Sequence, residues 1–165
     1  MNARETSDAP KNDIANEIDN EIVKEIVIRA PAARVFDALS DPQKRLQWWR
    51  SEGRFEARQM QSDLRVGGAW SMRGTAHGGS TGERPFTIRG EYRTVDPPRI
   101  LEFTWIADWH ENEPQMVVRF DLTEKDGHTT LRLTHRGFAH PQTREQYQGW
   151  PWLLKMLQGY CEQKS

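Results

Sequence analysis

The residues of this 165-residue chain whose types could carry chemistry are five histidines, one cysteine and a loop cluster of carboxylates. His77, His110, His128, His135 and His140 are scattered, with no His-x-x-x-His pair and no second cysteine near them. A metal site would have to be assembled from distant loops, so no metal is expected. No Gly-x-Ser-x-Gly elbow offers a nucleophilic serine. Cys161 falls near the end of the last helical pattern, away from the helix N-terminus that would activate a thiolate, and is expected to be a packed spectator. The run His77-Gly78-Gly79-Ser80-Thr81-Gly82 is glycine-rich but lacks the Lys-Ser/Thr ending and following helix of a phosphate cradle, so it reads as a hairpin loop. Asp108, Glu111 and Glu113 share one polar loop and read as solvated acids. The general acid–base candidate is His135, which alternates onto the same side as Leu131 and Leu133. At a cavity rim a neutral imidazole there could hydrogen-bond a ligand carbonyl or carry a proton. One histidine without a partner makes no mechanism. The residues therefore favour binding over catalysis and imply no catalytic residue and no cofactor.

Aromatic residues speak more clearly. Hydrophobic residues make up only 36 % of the chain, yet seven residues are tryptophan, so the apolar content sits in a few large side chains. Trp70, Met72, Tyr92, Phe103, Trp105, Met116, Phe120 and Trp150 are expected to face inward together. With His135 and Leu154 they form the expected ligand-binding set: an apolar lining for a flat or apolar molecule, oriented by Tyr92 and His135. The same side chains could instead fill a core.

These side chains need elements to position them. Glu21 to Arg29 reads as a strand, rich in β-branched residues. Pro31 to Leu39 reads as a short helix, and Asp41-Pro42 caps and opens a second one. Strands follow over Arg54–Met60, Ala69–Ala76, Phe86–Val95, Leu101–Trp105, Met116–Leu122 and Thr130–Arg136. Asp96-Pro97-Pro98-Arg99 makes one turn, and Lys125-Asp126-Gly127 another with Asp-Gly at its centre. Alternating apolar and polar faces joined by short turns describe an antiparallel meander that needs a cover. Tyr147, Trp150, Leu153, Leu154, Leu157 and Cys161 recur at steps of three and four, an amphipathic helix that supplies it. Pro151 either kinks that helix near Gly149-Trp150 or marks the start of its main body, and a kink is the expectation. The expected fold is α+β: a curved seven-stranded antiparallel sheet, two short helices and a long C-terminal helix over an apolar cavity. Residues 1–20 read as a polar, disordered tail and 21–165 as one domain.

Lys and Arg total 23 against 24 Asp and Glu, a formal net charge of -1, with the signs mixed along the chain. No basic stripe invites nucleic acid. No apolar run is long enough to insert in a membrane, and no apolar signal region opens the chain, so cytoplasmic residence is the expectation. An open sheet edge allows a homodimer.

Strand, two short helices, six strands and a terminal helix resemble the helix-grip fold of the START/Bet v 1-like (SRPBCC) superfamily. Within it, the chain resembles the activator-of-heat-shock-protein-90-ATPase homologues. The stretches that carry this are Ile28 to Leu39, Trp48-Trp49, Asp63 to Trp70, Leu101 to Trp105, Leu131 to Phe138, and Gly149-Trp150 with Leu153, Leu154 and Leu157. The resemblance implies a cavity between sheet and helix that holds a small apolar molecule. It also implies two alternatives: a polyketide-cyclase or hydrolase-type enzyme using the same cavity, and a co-chaperone-like protein-interaction module.

Overall fold

A computed structural model describes residues 20–51, 53–77, 82–110 and 112–163. The expected tail thus lies outside the described residues except for Asn20, as do most of the glycine-rich loop and Glu111.

Strand β1 (Glu21–Ile28) buries Ile22 and Ile28 and turns Val23 and Val27 outward, the alternation its sequence predicts. Two short helices follow, α1 (Ala32–Ser40) and α2 (Pro42–Trp48). Asp41 separates them. Its carboxylate accepts from the N–H groups of Gln43 and Lys44 at 2.9 and 3.2 Å, satisfying two of the donors that a helix start leaves open.

The chain then lays down β2 (Arg50–Ser51), β3 (Phe55–Ser62), β4 (Ala69–Ala76), β5 (Arg84–Asp96), β6 (Ile100–Ala107), β7 (Met116–Lys125) and β8 (His128–Arg136). A 3₁₀ turn at Asp108–His110 follows β6. All pair antiparallel in one sheet, ordered β1-β8-β7-β6-β5-β4-β3-β2. The helical pair carries the chain from one edge of that sheet to the other. Eight strands rather than the expected seven form it, because Arg50–Ser51 adds a ladder too short to show alternation.

The sheet is curved. Register shifts at Ala57/Gln59 and Tyr92/Thr94 give it local bends, since an extra residue on one strand sharpens its twist. Gly90 permits one close approach. A Cβ there would run into the Thr104 carbonyl oxygen and come 2.6 Å from the Trp70 indole nitrogen, which donates to that same oxygen at 3.1 Å.

Helices α3 (Pro141–Glu145) and α4 (Trp150–Glu162) close the fold. The expected kink at Pro151 does not occur. Helix α4 begins at Trp150, so Pro151 sits in its first turn, where a missing N–H costs nothing, and Tyr147 belongs to the preceding turn. Helix α4 packs on β1, α1, α2 and β2, and Leu153, Leu154, Leu157 and Cys161 are buried beneath it. Among the described residues, no helix is long and apolar enough to cross a membrane.

Candidate functional site

Three tryptophans from three elements meet at one end of the interior. Trp49 follows α2, Trp105 is on β6, and Trp150 opens α4. Their ring centroids are 5.9 Å apart for Trp49–Trp105, 5.5 Å for Trp49–Trp150 and 6.1 Å for Trp105–Trp150. They wall a cavity of about 240 Å³. Phe55, Ala76, Phe86 and Ile88 from β3, β4 and β5 form its sheet side, and Tyr147 and Leu153 its helix side. The volume lies just below the range of about 300–1,000 Å³ usual for drug-sized ligands, which suits a molecule of two or three rings.

Polar groups gather at the mouth. Arg54, Arg84 and Gln146 reach the opening, with Trp109 beside them. The Arg84 guanidinium lies 5.9 Å from the Trp109 ring, and among the described residues neither arginine forms an ion pair. Gln146 is held in place: its side-chain oxygen meets His110 Nε2 at 2.9 Å, and His110 Nδ1 lies 3.0 Å from Glu113. Among the described lining residues there is no histidine and no carboxylate.

All ten residues of the expected ligand-binding set are buried, nine of them in a single apolar cluster with His135 beside it, but they occupy different layers. Trp105 and Trp150 line the cavity. Trp70, Met72, Tyr92, Phe103, Met116, Phe120 and Leu154 lie in the packed interior beyond its wall, and Leu153 rather than Leu154 reaches the opening. The Tyr92 hydroxyl is engaged with Ser62 Oγ at 2.6 Å.

His135 is also interior, not at a rim. The Trp150 indole N–H donates to its Nδ1 at 3.0 Å, so the imidazole's own proton is on Nε2, which has no partner among the described residues. Phe138 and Tyr147 pack 4.7 and 4.8 Å from the ring. Burial pushes its pKa down to about 3, so the ring is neutral and serves to hold Trp150 in the cavity wall. Burial likewise pushes the Cys161 thiol up to about 12, consistent with a packed spectator.

One charged residue escaped sequence reasoning. Arg45 on α2 is fully buried. Its Nη1 donates to the Leu39 carbonyl at 3.4 Å, and among the described residues its Nε and Nη2 have no partner. The guanidinium lies 4.6 Å from the Trp49 ring, 5.4 Å from Trp70 and 5.3 Å from Phe103. Desolvation lowers its pKa to about 10, which leaves it cationic at neutral pH. The available signal was spacing: Arg45 stands three and four residues before Trp48 and Trp49, hence on their face of the helix.

Known proteins bear on this arrangement. Residues 29–162 match the family described as Activator of Hsp90 ATPase homolog 1-like protein. Protein CV1439 from Chromobacterium violaceum is similar in structure at a TM-score of 0.71 and 27 % identity, over 88 % of this chain and 99 % of that one. The AHSA1-like protein from Aeromonas hydrophila has a TM-score of 0.67 at 22 % identity, over 86 % of this chain and 92 % of its own. DynU16, a protein of the dynemicin biosynthetic locus, has a TM-score of 0.64 at 21 % identity, over 87 % of this chain and 47 % of its own. No curated protein matches the chain.

Proposed function

The chain belongs to the Activator of Hsp90 ATPase homolog 1-like family, and from that premise we propose that it binds a small aromatic molecule in the cavity walled by Trp49, Trp105 and Trp150. The observation that carries this is the cavity itself: about 240 Å³, lined by aromatic rings and opening between two arginines and a tethered glutamine. An apolar space of that kind favours a flat apolar body, and ring-on-ring contacts add to area burial. Binding without catalysis is the reading the lining supports, because among the described residues no pair of convergent acid and base groups meets there.

The test is titration with the neutral fluorophore N-phenyl-1-naphthylamine, alone and against Ala76→Phe. Ala76 lines the cavity from β4 and is half-buried, so a phenyl ring there occupies the space without opening the core. The wild-type protein should bind with enhanced emission, and Ala76→Phe should weaken binding by about tenfold or more while melting near the wild-type temperature. Equal affinity in the two proteins would move the ligand elsewhere.

A further inference from the structure

We infer that the molecule held in this cavity carries a carboxylate, and that Arg45, behind Trp49, is the group that receives it. The inference rests on the cavity-binding reading above and assigns the ligand its chemical class.

The starting point is a cation enclosed without an anion. An ion withdrawn from water loses several kcal/mol unless a partner compensates it. Three aromatic rings surround the Arg45 guanidinium, and such contacts return about 0.5–2 kcal/mol each. Among the described residues no carboxylate approaches it, and the long bond to Leu39 uses one end only. If Arg45 were only filling space, an apolar side chain of similar size would serve the core better.

The two idle atoms share one edge. Nε–H and one N–H of Nη2 point the same way from the guanidinium plane, and together they form the side-on fork that a carboxylate accepts with both oxygens. The end of the group bonded to Leu39 is the other one. What is left open is therefore a two-pronged donor, buried and without an acceptor.

Trp49 connects this fork to the cavity. Its indole is part of the cavity wall and also carries the guanidinium on its face, while Arg45 itself does not line the cavity. Among the described residues, Trp48, Trp70, Trp105 and Trp150 each donate the indole N–H to an acceptor, and Trp49 does not. Trp49 also stands just past the end of α2, with φ -81° and ψ 78°. Its ring is held by packing against Trp48, Trp105 and Trp150 and not by a side-chain hydrogen bond among the described residues. Turning its ring joins the cavity to the fork, so that the aromatic body rests against Trp105 and Trp150 and the carboxylate meets Arg45. Arg54 and Arg84 at the mouth favour the approach of an anion.

The experiment compares 2-naphthoate with its neutral counterpart 2-naphthamide by calorimetry on the full chain. The wild-type protein should bind the acid about tenfold or more tighter than the amide. Arg45→Met should abolish that preference, bringing acid and amide to equal affinity, and the Arg54→Gln/Arg84→Gln pair should retain it. A second readout needs no folded variant of Met type: the protected Nε–H resonance of Arg45 in the wild-type ¹H–¹⁵N spectrum, assigned by its loss in Arg45→Lys, should shift with naphthoate and stay put with naphthamide. Equal affinities for acid and amide, or a resonance that ignores the acid, would overturn the carboxylate inference and leave cavity binding intact. A preference that survives Arg45→Met and vanishes in the rim pair would transfer the role to the mouth and overturn it too. Failure of both naphthalenes and of N-phenyl-1-naphthylamine to bind would overturn this inference and the proposed function together.

Discussion

His135 and Arg45 are two buried nitrogen bases in one core, and burial treats them differently. The histidine starts from a pKa of 6.5 and is driven to about 3, so it surrenders its charge. The arginine is lowered only to about 10 and keeps it. For His135 the unfolded chain binds a proton that the folded chain refuses between these two values. The contribution of His135 to folding stability is therefore fully present above pH 6.5 and falls as pH drops toward 3, by up to about 1.4 kcal/mol per pH unit. Asn at position 135 keeps an acceptor for the Trp150 indole and removes the titration. Denaturant melts at pH 7 and pH 5 should show His135→Asn losing less stability on acidification than the wild type. Parallel losses would mean that the imidazole is not shielded from water. Both groups also mark the limit of sequence reading at this scale. Alternation put His135 on the inward side, where it is found, but could not tell rim from interior, because depth depends on which strands lie beyond. Arg45 was overlooked because a charged residue on a seven-residue helix is ordinarily solvated.

Among the elements, β4 to β6 show how tightly the sheet must close around its tryptophans. Gly90 leaves room on β5 for the Trp70 indole to reach the Thr104 carbonyl on β6. Gly90→Ala should destabilise the protein by about 1–3 kcal/mol, because the obstacle is backbone and cannot step aside. Thermal denaturation measures it, and an unchanged melting temperature would mean that the strands yield more easily than their pairing indicates. The strands were legible from period-two alternation, and the Asp126-Gly127 turn from its residue pair, which takes positive φ at both positions as such a turn requires. Strand β2 was not legible, since two residues have no period. Pro151 carried two readings, kink or start, and only the packing of Trp150 against His135 and Trp105 selects the start.

For the molecule as a whole, the cavity draws its walls from β3, β4, β5, β6, the residue after α2, and the α3–α4 junction. No single piece of the chain retains the site if the others come apart. Ligand binding must then be linked to global unfolding, and a ligand at one hundred times its dissociation constant adds about 2.7 kcal/mol of stability. For a chain of this length that corresponds to a rise in melting temperature on the order of 5–10 °C. A concentration series of N-phenyl-1-naphthylamine in a thermal melt checks this, and a flat series despite measurable binding would mean that the molecule sits on a local surface instead. The fold class was readable because a meander and an amphipathic helix carry periods. A cavity was expected mainly through the family resemblance, but its size and lining were not readable, because a gap is what remains after large rings have packed, and no residue pattern encodes it.

Indoles whose centres lie under 6 Å apart share their electronic excitations, and Trp49 is within that range of both Trp105 and Trp150. Coupled transitions in a fixed, asymmetric arrangement split into bands of opposite sign in the near-ultraviolet circular dichroism spectrum. The molecule thus carries its own optical gauge of how these rings stand, and any rotation of the middle one changes the sign pattern without a label.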